Sequence, residues 1–569
     1  MRSQSLFETL KLLLSILIVG TGVGLITSVV SSIFVLCIKE VGSFRETFTV
    51  KLLDVPGTSF SLQPVIWLLA AALFLALVRR LFKLERWHGP ADSIYAAHRT
   101  DNELDLRAGV GSTLAALISL CGGAPVGQYG PLVHFGATIG SSVSDFLNNQ
   151  KITADIFIGC GAAAAIAAGF HAPIAGIVFA HEAILRHFSF RAITPIAIAS
   201  ITSSWFSSLV FGGEPLFQIN FSLPDLFPLV PALLGSGIFF GLIAIIFMKA
   251  LLLFAKLAAQ TNFSPLLLAV LAALFCGGVG VFLPEVLGLG IGTVDRMLAN
   301  EYLILFLVLL MSAKIIASSL SIGFGLFGGI FSPALFIGAS AGGVFGQMFA
   351  AIGIVAVPQI FVVSGMAAIA AAVVGAPISV VLIILELTAS YELAVAAMLS
   401  VVVSTLFCSL IFGHSFFDAQ LIKRGIDLSQ GRGNLELMGK SVEAIVVQDY
   451  VKLSESLTVS AAIKILADAN VGEGYCTDEK GVFIGKCTLQ QLLHCNGEDG
   501  ISVSFIKNPV LMNHDASIMQ AIEIASNFFG ESIPVIVKSN NRLVGVVSEA
   551  HIFQSYLTTQ NRVRDLEHG

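Results

Sequence analysis

The chain has 569 residues, 56% of them hydrophobic and 12% charged, where an ordinary soluble protein carries about 25% charged residues. A soluble core cannot absorb that much apolar surface but lipid can, and the mean hydropathy of +0.88 agrees. The net charge of −6 offers nothing to nucleic acid, and the eight cysteines, with no Cys-x-x-Cys pair, read as small buried hydrophobes, with no sign of disulfides or metal.

Arg2 and Lys11 precede the first long apolar run, at 12–38. Because Gly20-Thr21-Gly22 is followed by more apolar sequence, the run reads as a membrane helix rather than a cleaved signal. Further apolar stretches fall at 64–82, 108–122, 154–180, 193–212, 227–258, 264–290, 302–320, 334–352, 359–387 and 393–413. Some exceed the roughly 20 residues that a perpendicular span needs. Others are short or interrupted by Gly and Pro, which predicts tilted and discontinuous helices. Arg79, Arg80, Lys83 and Arg86 form one basic cluster and Lys423 and Arg424 another. The positive-inside tendency assigns both, and the polar sequence after Arg424, to the cytoplasm.

Within the apolar part the sequence repeats itself. The segment GAAAAIAAGFHAPIAGIVFAHE, ending at Glu182, matches MAAIAAAVVGAPISVVLIILE, ending at Glu386; Gly161, Pro173 and Glu182 pair with Gly365, Pro377 and Glu386 at a shift of 204. Upstream, Gly127-Gln128-Tyr129-Gly130-Pro131 matches Gly329-Ile330-Phe331-Ser332-Pro333 at a shift of 202. Each half therefore has a Gly-x-x-x-Pro break, a small-residue helix, an Ala-Pro break and a Glu. A Gly-rich turn with Pro in the next helical turn starts a helix in mid-membrane. Its first N–H groups lack intrahelical partners, hydrocarbon offers none, and the positive end of the dipole favours an anion. Two such starts aimed at the midplane would bind an anion without a fixed full charge, so the ion can also leave. A phosphate-binding P-loop is not indicated, because the Gly-Lys-Ser/Thr ending is missing.

These residues resemble the voltage-gated chloride channel (CLC) family of anion channels and proton/anion exchangers, along the whole chain. Gly328 to Pro333 is similar to that family's G-x-F-x-P loop, and Gly127 to Pro131 to its G-[KR]-E-G-P. Trp87-His88-Gly89-Pro90-Ala91 is a poor match to its G-S-G-I-P loop, and Ser415-Phe416-Phe417-Asp418 resembles the stretch that supplies a pore tyrosine. The resemblance implies an anion site made by the backbone N–H groups of Ile330 and Phe331, with Gly329, Gly130, His88 in place of the serine, and Phe417 around it. It also implies a homodimer with one pore per subunit.

The departures bear on mechanism. The family's gating glutamate falls on Tyr129, whose phenol, with an ordinary pKa of about 10, stays neutral at pH 7. The exchangers' inner proton glutamate falls on Ala183, and the pore tyrosine on Phe417. Without either carboxylate, passive chloride movement is expected, with Tyr129 as external gate and Phe417 as internal constriction. Glu182 and His181 are the substitute proton carriers if exchange persists, although the placement of Glu182 and Glu386 at helix ends also fits capping of backbone donors. Tyr129 also reads as a packing residue among Pro131, Leu132 and Phe135. A membrane sensor with a vestigial pore is a further alternative. No HExxH or GxSxG motif points to an enzyme.

The polar tail carries its own repeat. Leu457–Ile463 matches Ala516–Ile522 at a shift of 59, and Gly485 matches Gly545 at 60. It resembles a tandem cystathionine-β-synthase-type (CBS) pair. Such pairs often bind adenine nucleotides through an acidic residue three positions after a Ser/Thr; here Thr488 is followed by Gln491 and Ser548 by His551. That puts a nucleotide in doubt, and no other cofactor and no metal is expected; a structural or dimerising tail stays open beside it. The expected fold is mainly α: a polytopic membrane protein of the bacterial inner membrane over 1–428, with inverted-topology repeats at about 64–212 and 264–413 and broken helices. A linker at 429–440 and a cytoplasmic α/β tandem CBS domain over 441–569 follow, with copies at about 441–496 and 500–560.

Overall fold

The computed structural model describes residues 2–47, 51–55, 58–99, 101–147, 153–212, 217, 225–353, 357–506 and 508–568; for 2–12, 46, 51–55, 58–60 and 565–568 it describes the backbone only. The chain forms two compact units, Met1–Ile426 and Asp427–Gly569. The first holds α1 (Arg2–Thr47), a hairpin of β1 (Lys51–Val55) and β2 (Thr58–Ser61), α2 (Gln63–Leu81), α3 (Pro90–His98), α4 (Leu106–Cys121), α5 (Tyr129–Leu147) and α6 (Ala154–Phe170). It continues with α7 (Pro173–Phe179, prolonged by a π-helical turn over Ala180–Leu185), α8 (Phe190–Phe211), α9 (Val230–Gln260), α10 (Pro265–Phe282), α11 (Ile291–Leu298) and α12 (Ile304–Phe324). The last five are α13 (Phe331–Ala351), α14 (Gln359–Val374), α15 (Pro377–Thr388), α16 (Tyr391–Ile411) and α17 (Phe416–Ile422). Eight helical segments among the described residues are long and apolar enough to cross a membrane.

The breaks come from Pro and from backbone in the left-handed region. The apolar stretch 154–180 is two helices, because His171 (φ 54°) ends α6 and Pro173 opens α7. The stretch 359–387 is divided in the same way by Gly375 (φ 77°), a conformation that favours glycine, before Pro377.

The two halves repeat each other in space. Where α5 crosses α6, a Cβ on Gly161 would lie 1.8 Å from the Gly136 carbonyl oxygen; where α13 crosses α14, one on Gly365 would lie 2.3 Å from that of Gly338. Small residues let membrane helices approach until their backbones touch. The correspondence takes in α1 and α9, beyond the 64–212 and 264–413 of the sequence repeat. The helix α1 packs on α8, where Ser28 donates to the Ser203 carbonyl (2.8 Å), as α9 packs on α16, where the Ser236 and Ser400 hydroxyls meet (2.9 Å). The halves meet at a reciprocal antiparallel bridge. The Gly127 N–H donates to the Gly329 carbonyl (2.7 Å) and the Gly329 N–H to the Gly127 carbonyl (2.6 Å). That is the relation of two elements across a two-fold axis, and it inverts one half against the other.

The second unit is α/β. It begins with α18 (Arg432–Gly439), in the stretch 429–440 expected to be a linker. This stretch is structured because Leu437 is buried and the carboxylate of buried Glu436 pairs with Lys440 (2.7 Å) and Arg562 (3.5 Å). Then come β3 (Lys452–Leu453), α19 (Val459–Asp468), β4 (Glu473–Thr477), β5 (Phe483–Thr488) and α20 (Leu489–Leu492), followed by β6 (Met512–Asn513), α21 (Ile518–Ala525), β7 (Ile533–Val537), β8 (Arg542–Val547) and α22 (Glu549–His568). The sheets β3-β4-β5 and β6-β7-β8 share one topology, a parallel then an antiparallel pair, with Lys452 opposite Tyr475 as Met512 is opposite Val535. Carboxylates tie the copies together. Glu473 accepts from the N–H groups of Glu531 and Ser532 (both 3.0 Å) and pairs with buried Lys486 (2.7 Å), while Glu531 accepts from the Gly472 N–H (3.1 Å).

Candidate functional site

Two kinds of helix start lie inside the first unit. At α7 and α15 the free N–H groups are taken by carboxylates of the opposite half. Glu386 accepts from Ile174 (3.1 Å) and Ala175 (2.8 Å), and Glu182 accepts from Ile378 (3.0 Å) and Ser379 (2.7 Å) and from the Ser379 hydroxyl (2.5 Å). A carboxylate there satisfies orphan donors and the positive dipole end together. Both glutamates thus have the capping role open to them, and Glu182 is fully engaged.

The starts of α5 and α13 are different. Gly127 and Gly329 pair with each other, and the chain then turns directly into helix. Among the described residues no acceptor meets the N–H groups of Gly130, Ile330 or Phe331. Glycine at 130 allows this convergence, since a Cβ there would lie 3.0 Å from the Gly329 Cα. The starts of α3 and α17 reach the same place. Together they line a cavity of about 90 Å³, with Pro90, Gly130, Ile330, Phe331 and Phe417 in its wall. One water needs roughly 15 Å³ of such space, so a small anion with part of its hydration fits.

Aromatic rings shape the cavity. Tyr129 is 5% exposed, stacks on Phe170 with centroids 3.4 Å apart, and meets the Phe331 ring edge-on at 6.0 Å. Gly169 makes room for it, because a Cβ there would lie 2.8 Å from the tyrosine ring. Phe417 sits in the first turn of α17, whose start is fixed by the Ser415/Asp418 capping box. Asp418 also pairs with Arg186 at the end of the π-helical turn (2.5 Å), which ties α17 to the first half.

The charged groups of the wall are Asp92 and Arg424. Asp92 accepts from Arg86 (3.1 and 2.5 Å), Arg424 (2.7 Å) and the Gly89 N–H (2.9 Å). One carboxylate serving two guanidiniums leaves an excess of positive charge, which raises the local concentration of anions.

His88 does not join the group expected at the anion. Trp87 and Gly89 line the cavity on either side of it, but His88 does not. Its N–H donates to Ser112 (2.9 Å) and its ring stacks against that of His134. In a tight turn neighbouring side chains face different ways, and here Trp87 faces the cavity while the His88 ring packs on His134. His181, Glu182 and Ala183 line a separate cavity of about 420 Å³ with Arg186 and Asp418. There the His181 Nδ1 contacts the His187 carbonyl (3.0 Å) and its ring stacks on Phe188.

The sequence alone does not mark Phe170, Asp92 and Arg424 as site residues. The signal for Phe170 is an asymmetry of the repeat, which puts an aromatic ring where the second half has Val374. In the sequence Arg424 is a basic residue at a membrane edge, and its link to Asp92 spans 332 positions. Among the described residues no three His, Cys, Asp or Glu side chains converge to hold a metal ion. In the tail, Ser548 and His551 bond each other (2.7 Å), and the Gln491 N–H donates to Thr488 (3.2 Å).

The profile of the voltage gated chloride channel family matches residues 70–409, more than half of the chain, and that of the CBS domain matches 502–557. The voltage-gated ClC-type chloride channel ClcB of Escherichia coli is 28% identical over 356 residues, 60% of this chain and 82% of that protein. Two solved structures share the fold. A slow cyanobacterial Cl⁻/H⁺ antiporter has a TM-score of 0.65 at 20% identity, covering 72% of this chain and 97% of its own. A eukaryotic CLC transporter has a TM-score of 0.63 at 19% identity, covering 95% and 98%. With its broken, inverted halves and its C-terminal CBS domain, the chain is a multi-pass membrane protein that belongs to the voltage-gated chloride channel family, a family of channels and transporters and not of enzymes.

Proposed function

We propose that the protein lets chloride, or a small anion like it, move passively across the membrane through one pore in each subunit of a homodimer, with the second unit in the cytoplasm. The observation that carries this is the convergence of the unpaired N–H groups of Gly130, Ile330 and Phe331 on one cavity whose ring neighbours are neutral. Backbone dipoles hold an anion without the strength of a full charge, so it binds and also leaves. Tyr129 closes one side of the site and Phe417 narrows the other. Neither Tyr129 nor Ala183 is a carboxylate able to shuttle a proton at neutral pH, so anion movement is uncoupled. The tail acts without a nucleotide, its two candidate ribose contacts being Gln491 and His551.

The test is efflux from chloride-loaded vesicles followed by chloride and proton electrodes together. Chloride leaving without stoichiometric proton uptake is the expected result, and proton uptake driven by the chloride gradient would overturn it. One observation favours exchange as a second reading: His181 lies beside Ala183 in the 420 Å³ cavity, with its Nε2 buried and lacking a hydrogen-bond partner among the described residues. Proton uptake abolished by His181→Phe would establish that reading.

A further inference from the structure

A second large cavity, of about 750 Å³, opens between the last turn of α2, the first turn of α10 and the last turn of α12. Its charged lining is three arginines, Arg79, Arg80 and Arg86, against Glu85. Arg79 is held in place by the carbonyls of Leu84 (3.0 Å) and Glu85, which leave its charge uncompensated. Arg80 is exposed and has no ionic partner among the described residues, and Arg86 shares Asp92 with Arg424. Apart from Ser264, the remaining wall is apolar and includes Leu75, Ala76 and Leu268. It continues along α2 into Leu73 and Leu77, which are exposed on the same helix. The basic end of α2 belongs at the cytoplasmic face of the bilayer, where anionic head groups are found.

We propose that this groove binds an anionic phospholipid, its phosphate against Arg79 and Arg80 and its acyl chain along the apolar wall of α2 and α10. A basic rim over an apolar wall matches a molecule with both parts; a water-soluble phosphate uses only the rim. Trp87 and Ile322 line this groove and also the anion cavity, and the Trp87 ring lies 5.9 Å from that of Phe327, another residue of the anion cavity. Lipid in the groove therefore sets the position of a wall that both cavities share, and tunes anion flux. This regulatory step rests on the proposed anion transport; the binding step does not.

The test uses the full chain, delipidated in detergent and weighed by native mass spectrometry with phosphatidylglycerol or phosphatidylcholine. Saturable retention of phosphatidylglycerol over phosphatidylcholine is expected, reduced about fivefold by Arg80→Gln, as expected for one basic residue at an anionic head group. Ala76→Trp, which fills the apolar wall and keeps every charge, should also release the lipid. Equal retention of the two lipids, or retention indifferent to both variants, would overturn the site. Displacement of phosphatidylglycerol by millimolar inorganic phosphate would overturn the lipid as its occupant. In vesicles, flux of the wild type should differ between phosphatidylglycerol and phosphatidylcholine, and Arg80→Gln should abolish the difference. Specific binding with lipid-indifferent flux would overturn the coupling through Trp87. Anion flux missing from every vesicle would instead overturn the proposed function and leave the binding result standing.

Discussion

A phenol ring held on three sides is a different gate from a carboxylate on a flexible stem. Tyr129 is clamped by Phe170, Phe331 and the space left by Gly169, so in the proposed pore it would obstruct by shape and not compete for the anion by charge. Tyr129→Ala should speed chloride efflux from vesicles about tenfold, the effect of lowering a barrier by about 1.4 kcal/mol; an unchanged rate would make the ring a packing residue only. Glu182 is the opposite case, a charge engaged by the backbone donors at the start of α15. Glu182→Gln turns one acceptor oxygen into a donor facing N–H groups that already need acceptors, and should cost about 1.5–3 kcal/mol. A lower thermal midpoint with the ratio of protons to chloride unchanged is the expected outcome; a changed ratio would make Glu182 a proton carrier.

The helix pairs α5/α6 and α13/α14 are built on contacts that leave no room for a side chain. Gly161→Ala would place a methyl group 1.8 Å from a backbone oxygen, so the helices must separate, at a cost of at least about 3 kcal/mol, the upper end of ordinary overpacking. Loss of a monodisperse peak in detergent would show it. The short α17 is tied to the first half by the Arg186–Asp418 pair at its start, beside its packing on α3. Arg186→Asp should alter flux by releasing Phe417, and Arg186→Asp with Asp418→Arg should recover much of it; non-recovery would show that the pair does not act as a unit. Much at this scale could be read beforehand, because Gly and Pro must stand where a helix stops inside lipid, and the shifts of 202 and 204 follow from that. Periodicity does not say which helix faces which. The capping of α15 by Glu182 spans 196 positions, and nothing local to either segment announces it. The direction of His88 is not legible for a related reason: the motif locates the turn, while the direction of each side chain depends on a register that only the packed loop fixes.

At the scale of the whole molecule, both units are duplicated and both fasten their duplicates with exchanged carboxylates, Glu182 and Glu386 in one and Glu473 and Glu531 in the other. In the tail this places buried Tyr475 beside Glu473, its hydroxyl donating to that carboxylate (3.2 Å). Burial, and then the neighbouring glutamates, push the Tyr475 phenol above its ordinary range. A raised folded value means that the stabilising protonated form is complete below the unfolded pKa, about 10, and is lost as the pH climbs above it. The tail should therefore unfold more readily as the pH passes about 10, and Tyr475→Phe should flatten that dependence in a denaturant series; an identical slope would show that another group controls it. In the membrane unit the same fastening has a further effect. The repeat-related helix starts inside the first unit, those of α5, α7, α13 and α15, present positive ends. The polypeptide supplies tethered counter-ions to α7 and α15 and, among the described residues, none to α5 and α13. A passing halide would serve these last two as the exchangeable member of a set whose other members are covalently fixed, so the ion in transit balances the same kind of local charge that the glutamates balance permanently.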